Sequence, residues 1–382
     1  MMFTADCKTD KVLKYAPAGA IGAPAAVLIP DQAALENGER FSDQTEKGFV
    51  TDFEKDGDKM VHVSTFAFMK GYIFMTYYAN TLGAEENPLY QRARLVYCKT
   101  DDTAHKTFLD VQAVGDACGG GTVQMLYDTI LMPWDDNTLY VLWTANVSGN
   151  YYRLVRPFYL DSMSFGEIKV SRFKVGDVEN DFSSTGIRAA LAANDLPCKT
   201  MYSDIGIMQK LSYRIENGEK VYYSGAYSGD FNCIIKSRDF VTWEYVSQPD
   251  FINQSKWENA VYVTDDVCYY FVRQQESGYG FLTAYELNTG CWRKPVLIGD
   301  CQSRSDFIMK DGELYLFHAP VDREHIGVVK IDRKNLANSR IITQAHIKSS
   351  CFYPFVQYGD DGKLYMSYTV ERKHIRLAEI RL

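Results

Sequence analysis

Four polar side chains, His62, Glu258, Arg273 and Tyr353, stand in or beside strands rich in apolar residues, and a fifth, Arg323, stands in a loop. Their types can do chemistry. An imidazole with a pKa of about 6.5 exchanges protons at neutral pH, whereas a phenol at about 10 gives its proton up only to a close base. A carboxylate is such a base, and guanidiniums bind an anionic group by paired hydrogen bonds. The set therefore suits proton transfer beside a negatively charged group. Each member also has an ordinary use: a core histidine, a rim salt bridge, a solvated turn arginine, a packing tyrosine among 27. A carboxylate on an inner strand is costly unless it is paired. The choice depends on whether the intervening elements bring the five together.

The bulk composition sets limits. The chain has 382 residues, 46% hydrophobic and 24% charged, enough for a sizeable core. A net charge of −8 argues against nucleic acid or an anionic membrane as partner. It leaves room for an acidic substrate, because a few arginines in a cleft reverse the local field. No stretch approaches the roughly 18 apolar residues of a membrane span. The N-terminal "MMFTADCKTDKVLKYAPAGA" lacks the basic-then-apolar order of a secretory signal. Nine cysteines show neither CxxC pairs nor histidine spacing, so no metal or other cofactor is implied. An odd count without a signal reads as reduced thiols and a cytoplasmic location, with a removed leader as the alternative.

Helical periodicity is scarce, and the best candidate is a short helix within Ser184 to Pro197. What recurs is an apolar strand, a polar turn, a second aromatic strand and a polar strand. The unit occurs six times, from "VHVSTFAFMKGYIFMTYYAN" to "CFYPFVQYGDDGKLYMSYTVERKHIRLAEIRL". Turns such as "KDGEL", "DDGKL" and "ENGEK" supply the positive φ of tight hairpins. Repeats of about 40 to 50 residues with about four short strands each describe a β-propeller. The fold class is therefore all-β: a single six-bladed propeller over residues 1–382, with 1–55 as an N-terminal segment that closes a blade.

In a propeller the innermost strands bring side chains from several blades to one end of the axis. That places His62 in blade 1, Glu258 and Arg273 in blade 4, Arg323 in a loop of blade 5 and Tyr353 in blade 6. Other features read as structural. "SRDFVTWEYV" resembles a degenerate Asp box, with Asp239 and Trp243 stabilising a blade hairpin. "DACGGGT" lacks the GK[ST] ending and the following helix of a phosphate loop, and reads as a blade connection. Arg92 and Arg94 read as alternating across a strand, one of them reaching the cleft.

The order "WEN" (Trp257 to Asn259), "FVR", "HAPVDREHIGV" and "SCFYPFVQ", with "CQSRSDF" between, resembles the C-terminal half of the sialidase superfamily. The likeness covers about residues 200 to 382 well and the first 200 loosely. It implies a glycoside hydrolase for a terminal acidic sugar, sialic acid or uronate. Tyr353 then matches the nucleophile and Glu258 the carboxylate that takes its proton. A neutral nucleophile suits an anomeric carbon that bears a carboxylate, and sialidases are the known exception to paired carboxylates. Arg273 and Arg323 match two of three arginines that grip the substrate carboxylate. The general acid falls in "GAEENP", as Glu86 or its neighbour Glu85.

This chain departs from the family pattern at His62, which stands in "MVHVSTF" where the family has an arginine. One lost charge-assisted bond costs about 1.5–3 kcal/mol. Related propellers include polysaccharide lyases with a first-blade histidine, so β-elimination on a uronate by His62 and Tyr353 is the alternative activity. A non-catalytic propeller whose aromatic residues stack on sugars is the third reading. All three take an acidic oligosaccharide as partner.

Overall fold

The computed structural model describes residues 24–201, 206–207, 212–249, 258–273, 279–301, 303–347 and 350–382. Trp257 and Gln302, two of the residues that carry the resemblance, and the N-terminal 23 residues lie outside this set.

Six sheets, each built around four antiparallel strands, follow one another along the chain. Blade 1 runs Met60–Met69, Tyr72–Asn80, Gln91–Lys99 and Asp102–Ala113, and blade 2 starts at Gly121–Asp135. Blade 4 contains Asn259–Val263 and Val267–Arg273, blade 5 starts at Asp306–Lys310, and blade 6 starts at Cys351–Tyr358. The ring closes when Phe49–Asp52 pairs antiparallel with His374–Ile380 as the outer strand of blade 6.

The side-chain pattern explains why blades and not an open sheet form. In "CYYFV", Cys268, Tyr270 and Val272 join a cluster with Val221 and Ile234 of blade 3. Tyr269 and Phe271 join one with Phe307 and Leu316 of blade 5. Strand alternation sends successive residues to opposite faces, and both faces are covered. Among the described residues there are six such hydrophobic clusters, one at each blade interface. A strand buried on both sides reads as a continuous apolar run, and no blade can be stable alone.

The expected helix is present as α2, Ser184–Ala192, with the Ser183 hydroxyl capping the Gly186 N–H. A longer one, here α1 over Gln32–Lys47, was not legible. Its buried residues are Ala34, Gly38, Phe41 and Thr45, a stripe with one large apolar side chain. Gly38 is needed because a Cβ there would sit 2.0 Å from the Gln344 carbonyl on the outer strand of blade 5. In the hairpin of blade 3, Asp239 Oδ1 accepts from the Val241 and Thr242 N–H groups, and Trp243 is fully buried. Ala117–Cys118 forms a small hairpin with Gly121 and Thr122 between blades 1 and 2, so "DACGGGT" does serve as a connection. Cys98, Cys118, Cys198, Cys233, Cys268, Cys301 and Cys351 are free, while Cys291 is disulfide-bonded, a departure from thiols throughout. No helix among the described residues is long and apolar enough to cross a membrane.

His318, at the end of a blade 5 strand, is buried, and burial lowers its pKa to about 4. The unfolded chain binds this proton near pH 6.5 and the folded chain does not. Stability therefore falls as pH drops below about 6.5, by about 1.4 kcal/mol per pH unit until the folded group titrates. His62, also lowered by burial, contributes with the same sign. Urea midpoints measured from pH 7 to 4.5 should fall more steeply for the wild type than for His318→Gln; equal slopes would exclude this source.

Candidate active site

Three inner strands carry the same irregularity. Pairing slips between His62 and Thr65 in blade 1, between Tyr127 and Ile130 in blade 2, and between Phe352 and Phe355 in blade 6. Each slip holds one residue in the left-handed region: Val63 at φ 54°, Asp128 at 62° and Tyr353 at 56°. Such a residue costs of order 1–3 kcal/mol, and a β-branched one is a true outlier. A bulge re-aims its side chain out of the strand's alternation. All three line one cleft of about 340 Å³, together with Arg323 and Arg372, which share the positive φ at 57° and 55°. Among the described residues, five of the fourteen non-glycine residues at positive φ thus line this cleft.

The hairpin of blade 4 sets the central pair. The Arg273 backbone N–H donates to the Glu258 carbonyl at 3.0 Å, so their side chains are cross-strand neighbours. Tyr353 then reaches in from blade 6, its Oη donating to Glu258 Oε1 at 2.7 Å, while Arg273 Nη1 donates to Oε2 at 2.6 Å. All three residues are less than a tenth exposed. Burial alone would raise the Glu258 carboxyl, but Arg273, Arg304 and the Tyr353 hydrogen bond outweigh it and hold the pKa at about 2. Burial and the Glu258 charge push the Tyr353 phenol well up, against Arg273 and Arg304. At rest the proton stays on Tyr353, and it can move only as another bond forms at the oxygen.

A second tyrosine–carboxylate pair stands at the lip. Tyr78 Oη donates to Glu86 Oε1 at 2.5 Å, and Arg372 Nη1 lies 2.9 Å from Glu86 Oε2. The Glu86 side chain is 31% exposed and lines the cleft. Glu85 is an exposed residue whose carbonyl accepts from Asn80 Nδ2. A third pair forms the floor, where Tyr227 Oη donates to Asp128 Oδ2 at 3.0 Å. Asp128 also accepts from Arg304 Nη2, and Arg153 Nη1 donates to the Asp128 carbonyl at 2.9 Å. In total four guanidiniums, Arg273, Arg304, Arg323 and Arg372, face three carboxylates in the cleft of an otherwise acidic protein.

No family model matches the sequence, and no curated protein matches it either. The solved structures do. A Hadza microbial sialidase superposes with a TM-score of 0.57 at 11% identity, over 86% of this chain and 66% of the other. The NanB sialidase of Streptococcus pneumoniae gives 0.54 at 9% identity, over 88% and 71%. The chain therefore spans just under two thirds of the first of these proteins. The fold is a sialidase-like propeller.

Within this sialidase-like propeller, the residues singled out from sequence separate into two groups. Tyr353, Glu258, Arg273, Arg323 and Glu86 all line the one cleft. His62 does not. Its ring is 1% exposed and stacks on the Tyr353 ring, 4.6 Å between centroids, with Nδ1 3.3 Å from Thr369 Oγ1. Burial keeps it neutral, and nearby Arg372 acts in the same sense. Arg92 and Arg94 are two apart and share a strand face, so they do not alternate: both bond Asp110, and neither lines the cleft. Arg304, Asp128, Tyr78, Tyr227 and Arg372 went unnoticed in the sequence. The signal for two of them was there: Asp128 interrupts the apolar run "QMLYDTILM", and Arg304 sits just before a blade's inner strand, as Glu258 does.

Two other features are less suited to catalysis. A larger groove of about 1360 Å³ between blades 4 and 5 is walled by ionic surface residues such as Asp266, Arg293, Lys330 and Arg333, and holds no tyrosine–carboxylate pair. Asp52, Glu54 and His374 offer ligand atoms within 4.8 Å of one another. Their atoms are engaged, however: His374 Nδ1 is 2.8 Å from Glu54 Oε1, and Arg376 Nε is 3.3 Å from Asp52 Oδ1. They form an ion-pair seam where the N-terminal strand closes the ring.

Proposed function

We propose that this propeller is a retaining glycoside hydrolase acting on a terminal sugar that carries a carboxylate, with sialic acid or a uronate as the class. The observation that carries the reading is the 2.7 Å hydrogen bond from Tyr353 to a Glu258 carboxylate already fixed by Arg273. Tyr353 Oη attacks the anomeric carbon while its proton passes to Glu258 Oε1. The bond to the glycosidic oxygen breaks, and that oxygen takes the electron pair and a proton from Glu86, which first takes that proton up from water at the lip of the cleft. Water then attacks the anomeric carbon with Glu86 as base, and Tyr353 departs as the phenol with its proton returned from Glu258. Arg273 and Arg323 bind the substrate carboxylate. A neutral nucleophile avoids the repulsion that a carboxylate nucleophile would meet there. Glu86 is favoured over Glu85 because it lies on the cleft wall.

β-Elimination by His62 and Tyr353 has less support, since the imidazole lies behind the tyrosine and away from the wall. The test is product mass after incubation with a panel of sialosides and uronate oligosaccharides. Fragments whose summed mass gains one water, the first-formed anomer retained by proton NMR, are expected. An unsaturated fragment with no water gained would replace the hydrolase with a lyase, and no turnover of any acidic glycoside would leave a binding propeller.

A further inference from the structure

We infer that Arg304 is a positioning residue for Tyr353: a fixed cation on the tyrosine ring that follows the negative charge as it passes from Glu258 to the phenol oxygen. This rests on the nucleophilic role proposed for Tyr353. Arg304 enters from blade 5, is 2% exposed, and places its guanidinium carbon 5.0 Å from the Tyr353 ring centroid. One nitrogen, Nη2, donates to Asp128 Oδ1 and lies 3.1 Å from Tyr227 Oη. Asp128 is held in turn by Tyr227 and by the fully buried Arg153. Arg304 Nε and Nη1 are buried with no hydrogen-bond partner among the described residues. A buried cation left this way is costly, so its remaining compensation comes from the tyrosine ring and the charge beyond it.

Both guanidiniums favour negative charge on Glu258 and on the phenol oxygen. Arg273 reaches the pair by a direct hydrogen bond to the carboxylate, and Arg304 reaches it from the face of the ring. When the proton leaves Tyr353, the charge moves from Glu258 to the phenol oxygen within reach of both, and the cluster's total is unchanged. A preorganised charge aimed where charge develops reduces the barrier and needs no motion at the moment of reaction. His62, which stacks on the same ring, is neutral and does not compete. The arginine that the family places in blade 1 is absent here, and this cation stands in blade 5.

The test has one readout that needs no glycosidase activity. An aryl sulfonyl fluoride labels a tyrosine when the phenol oxygen forms an S–O bond, fluoride leaves, and the proton passes to a base, here Glu258. The Tyr353 peptide should be labelled at pH 8 faster than that of Tyr213, which is 49% exposed and serves as reference. Arg304→Gln should slow Tyr353 labelling about tenfold or more, with Arg304→Lys between the two. On an aryl glycoside that the wild type hydrolyses, Arg304→Gln should lower kcat about 100-fold with KM nearly unchanged. Unchanged labelling and kcat in a folded Arg304→Gln protein would overturn the role. So would a loss confined to KM, or wild-type labelling of Tyr353 no faster than of Tyr213. Labelling as expected in a protein that hydrolyses no acidic glycoside would sink the hydrolase and leave the Arg304–Tyr353 coupling standing. Where Arg304→Gln fails to fold, Asp128→Asn carries the test, with a smaller fall in both rates.

Discussion

Tyr353→Phe should lower kcat on any glycoside that the wild type hydrolyses by about 10³-fold or more, the scale of removing a nucleophile. It should do so in a protein that folds as before. The ring, its stacking on His62 and its contact with Arg304 all survive the loss of one oxygen. Glu258 loses one hydrogen bond but keeps Arg273, so the expected cost in stability is about 1–3 kcal/mol. Single-turnover mass spectrometry with an activated aryl glycoside is the deciding measurement. A glycosylated Tyr353 peptide in the wild type, and none in the variant, is expected. Full activity in Tyr353→Phe would remove the tyrosine from the mechanism and, with it, the reason for the Glu258 pair.

Glu258→Ala should have the largest effect on stability. It takes from Arg273 the buried carboxylate to which it donates, with Arg304 and Arg323 lining the same cleft. Breaking a buried ion pair from one side costs about 3–5 kcal/mol, and the lost Tyr353 bond adds to it. Glu258→Gln keeps the shape and an acceptor for Arg273, so it should be milder in stability. It should still lower kcat by about 10²–10⁴, because a neutral amide cannot take the phenol's proton. The carboxylate also supplies a pH dependence. Its folded pKa, about 2, lies below the ordinary glutamate value. The stability it contributes is therefore fully present above about pH 4.5 and is lost as pH falls toward 2. Urea denaturation of wild type and Glu258→Gln at pH 7 and pH 3 separates these effects: the gap between them should narrow at pH 3. A gap that widens there would mean that the carboxylate is not held ionised by its neighbours.

The repeat of apolar strand, turn and aromatic strand determined the architecture. Six repeats with two-sided burial have few ways to pack other than around an axis, and inner strands then converge whatever their sequences. That convergence is why Tyr353, Glu258 and Arg273 could be grouped from repeat position, helped by the family-like order of the motifs around them. Helix α1 escaped notice because small residues on its buried face pack against backbone, which leaves no hydrophobic period to read. Arg304 and Arg372 escaped because their roles come from contacts between blades.

The decisive step for the cleft was invisible in sequence for a simple reason. Strand alternation assigns each side chain a face, and a bulge breaks that assignment at one residue. Val63, Asp128 and Tyr353 carry no glycine or turn signature to announce their positive φ. Only the packing of neighbouring blades holds them there. The residue types determined what chemistry was available and the repeat determined which end of the axis would hold it. Tertiary structure alone turned Tyr353 toward Glu258, placed His62 behind it, and set Arg304 over its ring, because those placements depend on distances between strands of different blades.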